Sequence, residues 1–463
     1  MKLSRSARRG AVAVAAASFF VIAAAPAPAP GAPGIGDPYF PELGNGGFDA
    51  RHYALGIGYD PDTDRLDGRA TLTARATENL SSFDLDLQKL TVSRVDVDGR
   101  RAAFTRDGDE LRVTPDRFLR KGRDFQVTVV YGGIPEPLTG PIVFGSDYGW
   151  MKTDDGVFVA CEPNAASTWF PSSDHPSDKA TYDIRIKAPK GLTGISNGRL
   201  VSTWDRGGST YSHWRETEPM APYLATATIG KFEVRTGRTP GGTPIYVAID
   251  PVLADSNSVD VYGVTAAATD YWSTLFGPYP FEETGAIVDD MPQAGFSLEV
   301  QSKPAYSAVR DEDTIVHELA HQWFGDSVSV DTWKDIWLNE GFATYAEWLW
   351  AEHRGTGTAH DLFRAAYDAR PADAAFWKTV VADPQRDTMF SSAVYWRGAM
   401  TLQMLRERIG DRAFFQLLPA WTAAHRHGNA KTADFIALAE RISGQQLDDL
   451  FTTWLTTPGK PAL

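Results

Sequence analysis

The chain contains one cysteine, Cys161, so no intrachain disulfide can form and the fold must hold by packing alone. Cys161 also lies too far along the chain to carry a lipid at a processed N-terminus. Positive charge is scarce: only 22% of residues are charged, the formal net charge is -14, and no basic stripe offsets it. Nucleic acid is therefore excluded as a partner. Long apolar runs are missing too. The uncharged stretch from Gly10 to Ala25 falls short of the roughly 20 residues that a membrane-spanning helix needs, and it passes into "PAPAPGAPG" without a charged stop-transfer segment. No stable membrane anchor is expected.

Lys2, Arg5, Arg8 and Arg9 precede that stretch, which is the layout of a secretory signal peptide. We assign it to residues 1–29, with several small-residue cleavage sites between Ala23 and Gly31, and Arg8-Arg9 leaves twin-arginine export open. A secreted protein is expected, with a Pro/Gly-rich linker over 30–43. At 43% hydrophobic residues, the remainder can bury cores in two or more domains.

The first half alternates with a period of two. "FDLDL" (Phe83, Leu85, Leu87), "FQVTVVY" (Phe125, Val127, Val129, Tyr131) and "YDIRI" (Tyr182 to Ile186) read as half-buried strands, and Asp98-Gly99 and Asn197-Gly198 read as hairpin turns. A turn cluster, "TGRTPGGTP", precedes a last strand, "IYVAI"; thereafter "AMTLQMLRERI" and "ADFIALAERI" carry helical stripes. The pattern predicts an α+β multidomain protein, with a β domain over 44–248 and a mainly helical domain over 249–463.

In "EDTIVHELAHQWFG" an apolar stripe runs from Ile315 to Phe324, Asp311 to Thr314 offer caps, and Gly325 marks a stop. His317 and His321, at i and i+4, then share one helical face, close enough for both imidazoles to reach one zinc ion. Glu318 sits on the neighbouring edge, where a general base belongs. Catalytic zinc normally takes three protein ligands, and Glu340 in "IWLNEGFATYAEWLW" is the best third. Glu347 shares its face and is a candidate partner for a ligand histidine.

"HELAHQWFGD" and "WLNEGFATY" resemble the zinc signature of the M1 aminopeptidases, a gluzincin family. "CEPNAASTWFPSSDHPSDKATY" and "PMAPYLATATIGKFE" are similar to that family's N-terminal domain. The resemblance implies a saddle-shaped β domain followed by a thermolysin-like catalytic domain, one Zn2+ per chain, and peptide substrates with a free N-terminus. It also implies roles for three more residues. Tyr395 in "VYWRGA" would donate to the oxyanion, while Glu299 in "GFSLEVQ" and Glu162 in "ACEPN" would bind the substrate's α-amino group. Where the family has Gly-Ala-Met-Glu-Asn, this chain has Phe296-Ser297-Leu298-Glu299-Val300, so the backbone grip on the substrate is expected to differ. The expected activity is removal of N-terminal residues by zinc-assisted hydrolysis; the alternatives are a thermolysin-like endopeptidase and a non-catalytic peptide-binding protein. Family members commonly add a large helical domain over the cleft, and none is expected here, so peptide length should matter little.

Overall fold

A computed structural model describes residues 27–256 and 259–463, so most of the signal peptide expected over 1–29 lies outside the described residues. "FQVTVVY" and "YDIRI" lie in sheet strands as expected, whereas "FDLDL" does not form a half-buried strand: Phe83 to Leu87 are all buried and make only isolated bridges to Val113, Glu110 and Ser172. Strand Phe48–Asp60 buries Tyr53, Leu55, Ile57 and Tyr59 on one face, and Arg65–Ala76 and Asp124–Gly133 repeat the pattern beside it. They are the middle of an eight-stranded sheet in the order Arg199–Arg206, Ser209–Met220, Ala180–Pro189, Phe48–Asp60, Arg65–Ala76, Asp124–Gly133, Thr91–Val97, Arg100–Arg101. Only the Phe48–Asp60 and Ala180–Pro189 pair is parallel. A five-stranded sheet lies against it and includes Val157–Ala160, which is buried throughout.

Asp98-Gly99 forms the expected hairpin turn, both residues having positive φ (49° and 74°), as a type I′ turn requires. Asn197-Gly198 does not. Strand Thr193–Ser196 pairs with Ala227–Gly230 in one sheet, while Arg199–Arg206 pairs with Ser209–Met220 in another. The Asn197 side chain is drawn into tertiary bonds instead, donating to the carbonyls of Leu224 and Gln301 and accepting from Thr226 N–H. The hairpin turn falls at Gly207-Gly208 (φ 58° and 80°).

A third, mixed sheet draws strands from both sides of residue 248, in the order Glu233–Arg238, Pro244–Ile249, Thr284–Val288, Ala305–Tyr306, Ser297–Leu298. Helices α1 (Val261–Phe276), α2 (Glu312–Ala320), α3 (Trp337–Arg354), α4 (Ala359–Asp368), α5 (Ser392–Ile409), α6 (Asp411–Ala424) and α7 (Thr432–Ser443) complete the second half. Among the described residues, no helix is long and apolar enough to cross a membrane. The α2 helix is capped by Asp311, whose carboxylate accepts from Thr314 N–H at 2.8 Å. It ends at Ala320, earlier than the apolar stripe suggests, and residues 321–326 wind through turns.

The Pro/Gly-rich segment 30–43 is bound down between the halves. Asp37 is buried, and its carboxylate accepts from Tyr39 N–H (2.7 Å), Phe40 N–H (3.2 Å), Trp333 N–H (2.9 Å) and His175 Nε2 (3.1 Å). Tyr39 OH donates to Asp383 at 2.6 Å. Burial alone would raise the Asp37 pKa, but His175 and the backbone N–H groups outweigh it and hold the group below the ordinary carboxylate range. Asp37→Ala is expected to destabilise the protein by about 3 kcal/mol near neutral pH, measured by urea unfolding. A depressed folded pKa contributes stability above the unfolded value and loses it as pH falls through the folded one, so the gap between wild type and variant should close in acid.

Candidate active site

Helix α2 carries His317 and Glu318 and leads into His321; α3 carries Glu340 and Glu347. The Nε2 atoms of His317 and His321 lie 3.4 Å and 3.5 Å from the same oxygen, Glu340 Oε2, and the two imidazole centroids are 4.8 Å apart. Each ring is oriented from behind. His317 Nδ1 donates to Glu347 Oε1 at 2.6 Å, and His321 Nδ1 donates to the Phe324 carbonyl at 2.9 Å. Carboxylate and carbonyl only accept, so the Nδ1 atoms carry the protons and the Nε2 lone pairs face Glu340.

With both rings neutral, three acceptor atoms converge, and Glu340 Oε2 is buried without a hydrogen-bond partner. Positive charge satisfies that arrangement, whether as a proton on each Nε2 or as a metal ion, and two imidazoles with one carboxylate suit zinc. The electrostatics agree. Burial opposes charge at His317, but Glu340 and Glu347 outweigh it and raise its affinity for a proton well above normal; His321 is likewise raised to about 9, through Glu299 and Glu340. Burial would raise Glu340, yet His321 and His317 hold it down at about 2.

A second layer of acid surrounds this centre. Glu318 is pushed up to about 7, mainly by burial, with the two histidines opposing and Glu299 and Glu340 adding. Glu299, Glu318 and His321 also place ligand-type atoms within 4.8 Å of one another. Glu299 follows the edge strand Ser297–Leu298, and Glu162 reaches in from the end of strand Val157–Ala160 in the first half. Glu299 Oε1 and Glu162 Oε1 are both buried and unpartnered. Burial raises both groups: Glu162 well above the carboxylate range, with Glu299, Glu340 and Glu318 adding, and Glu299 less far, with His321 opposing and Glu340 adding. Tyr395 on α5 lies with its ring 6.0 Å from that of His317 and nearly parallel to it. Burial and the surrounding carboxylates keep its hydroxyl protonated.

All eight residues singled out in the sequence therefore sit in or against one site. The departure at Phe296 is visible too. Its carbonyl accepts from Ser307 Oγ (2.7 Å) and Arg310 Nη2 (3.2 Å), so that backbone group is engaged within the chain.

Other contributors were not legible as such. Gly341, next to Glu340, packs on Gly398, three residues beyond Tyr395; a Cβ on either would come within 2.9 Å and 2.8 Å of the other's Cα. That close crossing brings α3 and α5 together where Glu340 and Tyr395 are needed. Tyr223, 1% exposed, stands among Glu299, Glu162 and Asp326, and Lys179 donates to the carbonyls of Asp326 and Ser327 at 2.7 Å and 3.0 Å. Tyr223 stands in an apolar stretch and Lys179 in a polar one, and neither carries a spacing signal.

Residues 49–224 match the model of the peptidase M1 N-terminal domain and residues 294–454 that of the peptidase family M1 domain. Aminopeptidase M1-C of Oryza sativa subsp. japonica is 26% identical over 471 residues, covering 94% of this chain and 53% of that protein. Endoplasmic reticulum aminopeptidase 1 of Homo sapiens is 29% identical over 429 residues, covering 83% of this chain and 44% of that protein. The chain spans about half the length, or less, of the curated relatives it matches. The crystal structure of an M1 zinc metallopeptidase from Deinococcus radiodurans is similar with a TM-score of 0.86 at 30% identity, covering 93% of this chain and 98% of that one. A mutant from that organism bound to a Tyr-Ser-Ala substrate gives 0.85 at 30%, covering 93% and 99%. With zinc as the metal of these neighbours and a donor set that fits it, the chain belongs to peptidase family M1, the zinc metallopeptidases.

Proposed function

We propose that this protein is an aminopeptidase that removes N-terminal residues from peptides. The observation that carries the reading is the pair of buried carboxylate oxygens, Glu162 Oε1 and Glu299 Oε1, left without partners beside the histidine cluster. Burial keeps such carboxyls from ionising by themselves, and a positive partner is what draws them into the charged form. A substrate's N-terminal ammonium supplies one, and it is a feature that an internal peptide segment lacks. The tripeptide bound to the Deinococcus radiodurans mutant supports peptide as the substrate class.

His317, His321 and Glu340 would hold the zinc, with Glu347 and the Phe324 carbonyl fixing the two rings. When bound, zinc supplies Lewis acidity toward the scissile carbonyl. Glu318, with a carboxyl near neutrality, takes a proton from the attacking water and returns it to the leaving amine. The Tyr395 hydroxyl donates to the developing oxyanion. Glu162 and Glu299 accept hydrogen bonds from the ammonium and so hold the first peptide bond at the reacting centre. The same proposal places the enzyme outside the cell, supported by the four N-terminal cations ahead of the apolar run from Gly10 to Ala25.

Glu318→Gln is expected to retain zinc and lose most turnover, whereas His321→Ala loses both; metal analysis beside rate measurement separates the roles. Tyr395→Phe should lower kcat by roughly 10²-fold, as loss of an oxyanion donor does elsewhere. Unchanged kcat would remove Tyr395 from the mechanism.

Acetylating the N-terminus of a good substrate should abolish cleavage of its first bond, and Glu299→Ala should raise KM sharply. A panel of free and N-acetylated aminoacyl fluorophores reads both. Equal rates on free and acetylated peptides would mark an endopeptidase.

A further inference from the structure

Gln322 directly follows His321, yet its side chain turns away from the metal site and is completely buried. Its Nε2 donates to the Glu299 carbonyl at 2.7 Å, and its Oε1 accepts from Ser302 N–H at 2.7 Å. Glu299 directly precedes the β-turn Val300–Lys303, which the Lys303 N–H to Val300 carbonyl bond closes at 3.0 Å, and Ser302 is the third residue of that turn. The side-chain amide bridges Glu299 and Ser302 and ties both to the residue after His321.

The turn needs holding. Ser302 has φ 72°, a left-handed conformation that residues with a side chain rarely adopt, and such outliers persist only where their surroundings over-determine them. Two contacts come from the first half: Gly198 N–H donates to Ser302 Oγ at 2.7 Å, and Asn197 Nδ2 donates to the Gln301 carbonyl at 2.9 Å. The third is Gln322. It links the residue bearing the amine-site carboxylate to the exit of the helix bearing the metal-site histidines, with no flexible element between.

We infer that Gln322 is a positioning residue that sets the separation between Glu299 and the metal centre, and thereby the number of residues removed per cleavage. This rests on the proposed role of Glu299 in holding the substrate ammonium. A carboxylate on a turn free to relax would still bind an amine, but over a range of distances from the reacting bond.

The test uses full-length Gln322→Met, which matches the side chain in length but neither donates nor accepts. Zinc content is expected to stay at one per chain. KM for a free-amine aminoacyl substrate should rise about 10-fold or more with kcat within about 3-fold, the cost of a small misplacement in a bound group. On a hexapeptide, release of the N-terminal dipeptide should become measurable. Calorimetry on zinc-free protein gives a second readout: wild type should bind a free amino acid more tightly than its N-acetyl form, and the variant should lose that preference. Unchanged KM and unchanged cleavage position with zinc bound would overturn the inference, as would an undiminished preference of the variant for the free amino acid. Glu299→Ala keeps the two readings apart. If it leaves KM unaltered, the amine assignment fails; if it raises KM while Gln322→Met does not, the clamp alone fails.

Discussion

Attraction between a central positive charge and a shell of buried carboxylates is the interaction on which this molecule turns. Glu162, Glu299, Glu318, Glu340 and Asp326 are all buried around two histidines, in a chain whose formal net charge is already -14. Left alone, most of them resist ionisation: burial and mutual repulsion raise Glu162 and Asp326 well above the carboxylate range. Only Glu340, pinned by two imidazoles, is driven the other way. A divalent metal relieves part of that repulsion, and an ammonium group placed there would relieve more, so the features that make the site costly to fold also favour cations. Lys179 relieves another part from the opposite side, with its own proton affinity lowered to about 7, chiefly by burial.

The scaffold serves this arrangement by bringing carboxylates from distant parts of the chain to one point. An edge strand delivers Glu299, two helices deliver the histidines and Glu340, and the first half delivers Glu162. Neither half contains the whole site. The seam between the halves is accordingly polar and heavily bonded: Lys179 to the turn after α2, Asn197 and Gly198 to the turn after Glu299, and Asp37 to Trp333. Flexing at that seam would move Glu162 relative to Glu299.

What the sequence made legible was local. The i, i+4 histidines, the Asp311 cap and the alternation of "FQVTVVY" and "YDIRI" each depend on a few neighbouring residues, and each appears where the pattern placed it. What escaped was tertiary. Asn197-Gly198 has the composition of a hairpin turn, but the asparagine side chain is satisfied by Leu224, Thr226 and Gln301, far along the chain, and the strands on either side go to different sheets. Gly341 and Gly398 read as weak points in two good helices, because nothing in either helix says that the other glycine faces it. The segment 30–43 has the composition of a linker, and Asp37 within it finds its partners at His175 and Trp333. Roles of Tyr395, Glu299 and Glu162 came from family resemblance, since an isolated tyrosine or glutamate carries no spacing signal.

That segment has a kinetic consequence. The bond from Trp333 N–H to Asp37 closes a loop of 296 residues, and the Tyr39–Asp383 contact one of 344. Contacts of such high sequence separation form late, because their loop entropy must be met before they contribute anything. During synthesis, residues 30–43 emerge ahead of every element they dock against in the helical half, and must wait while the 296 residues to Trp333 and the 344 to Asp383 are made. A portion of chain among the earliest translated is thus among the last to settle, and it fastens the two halves only after each has formed its own core.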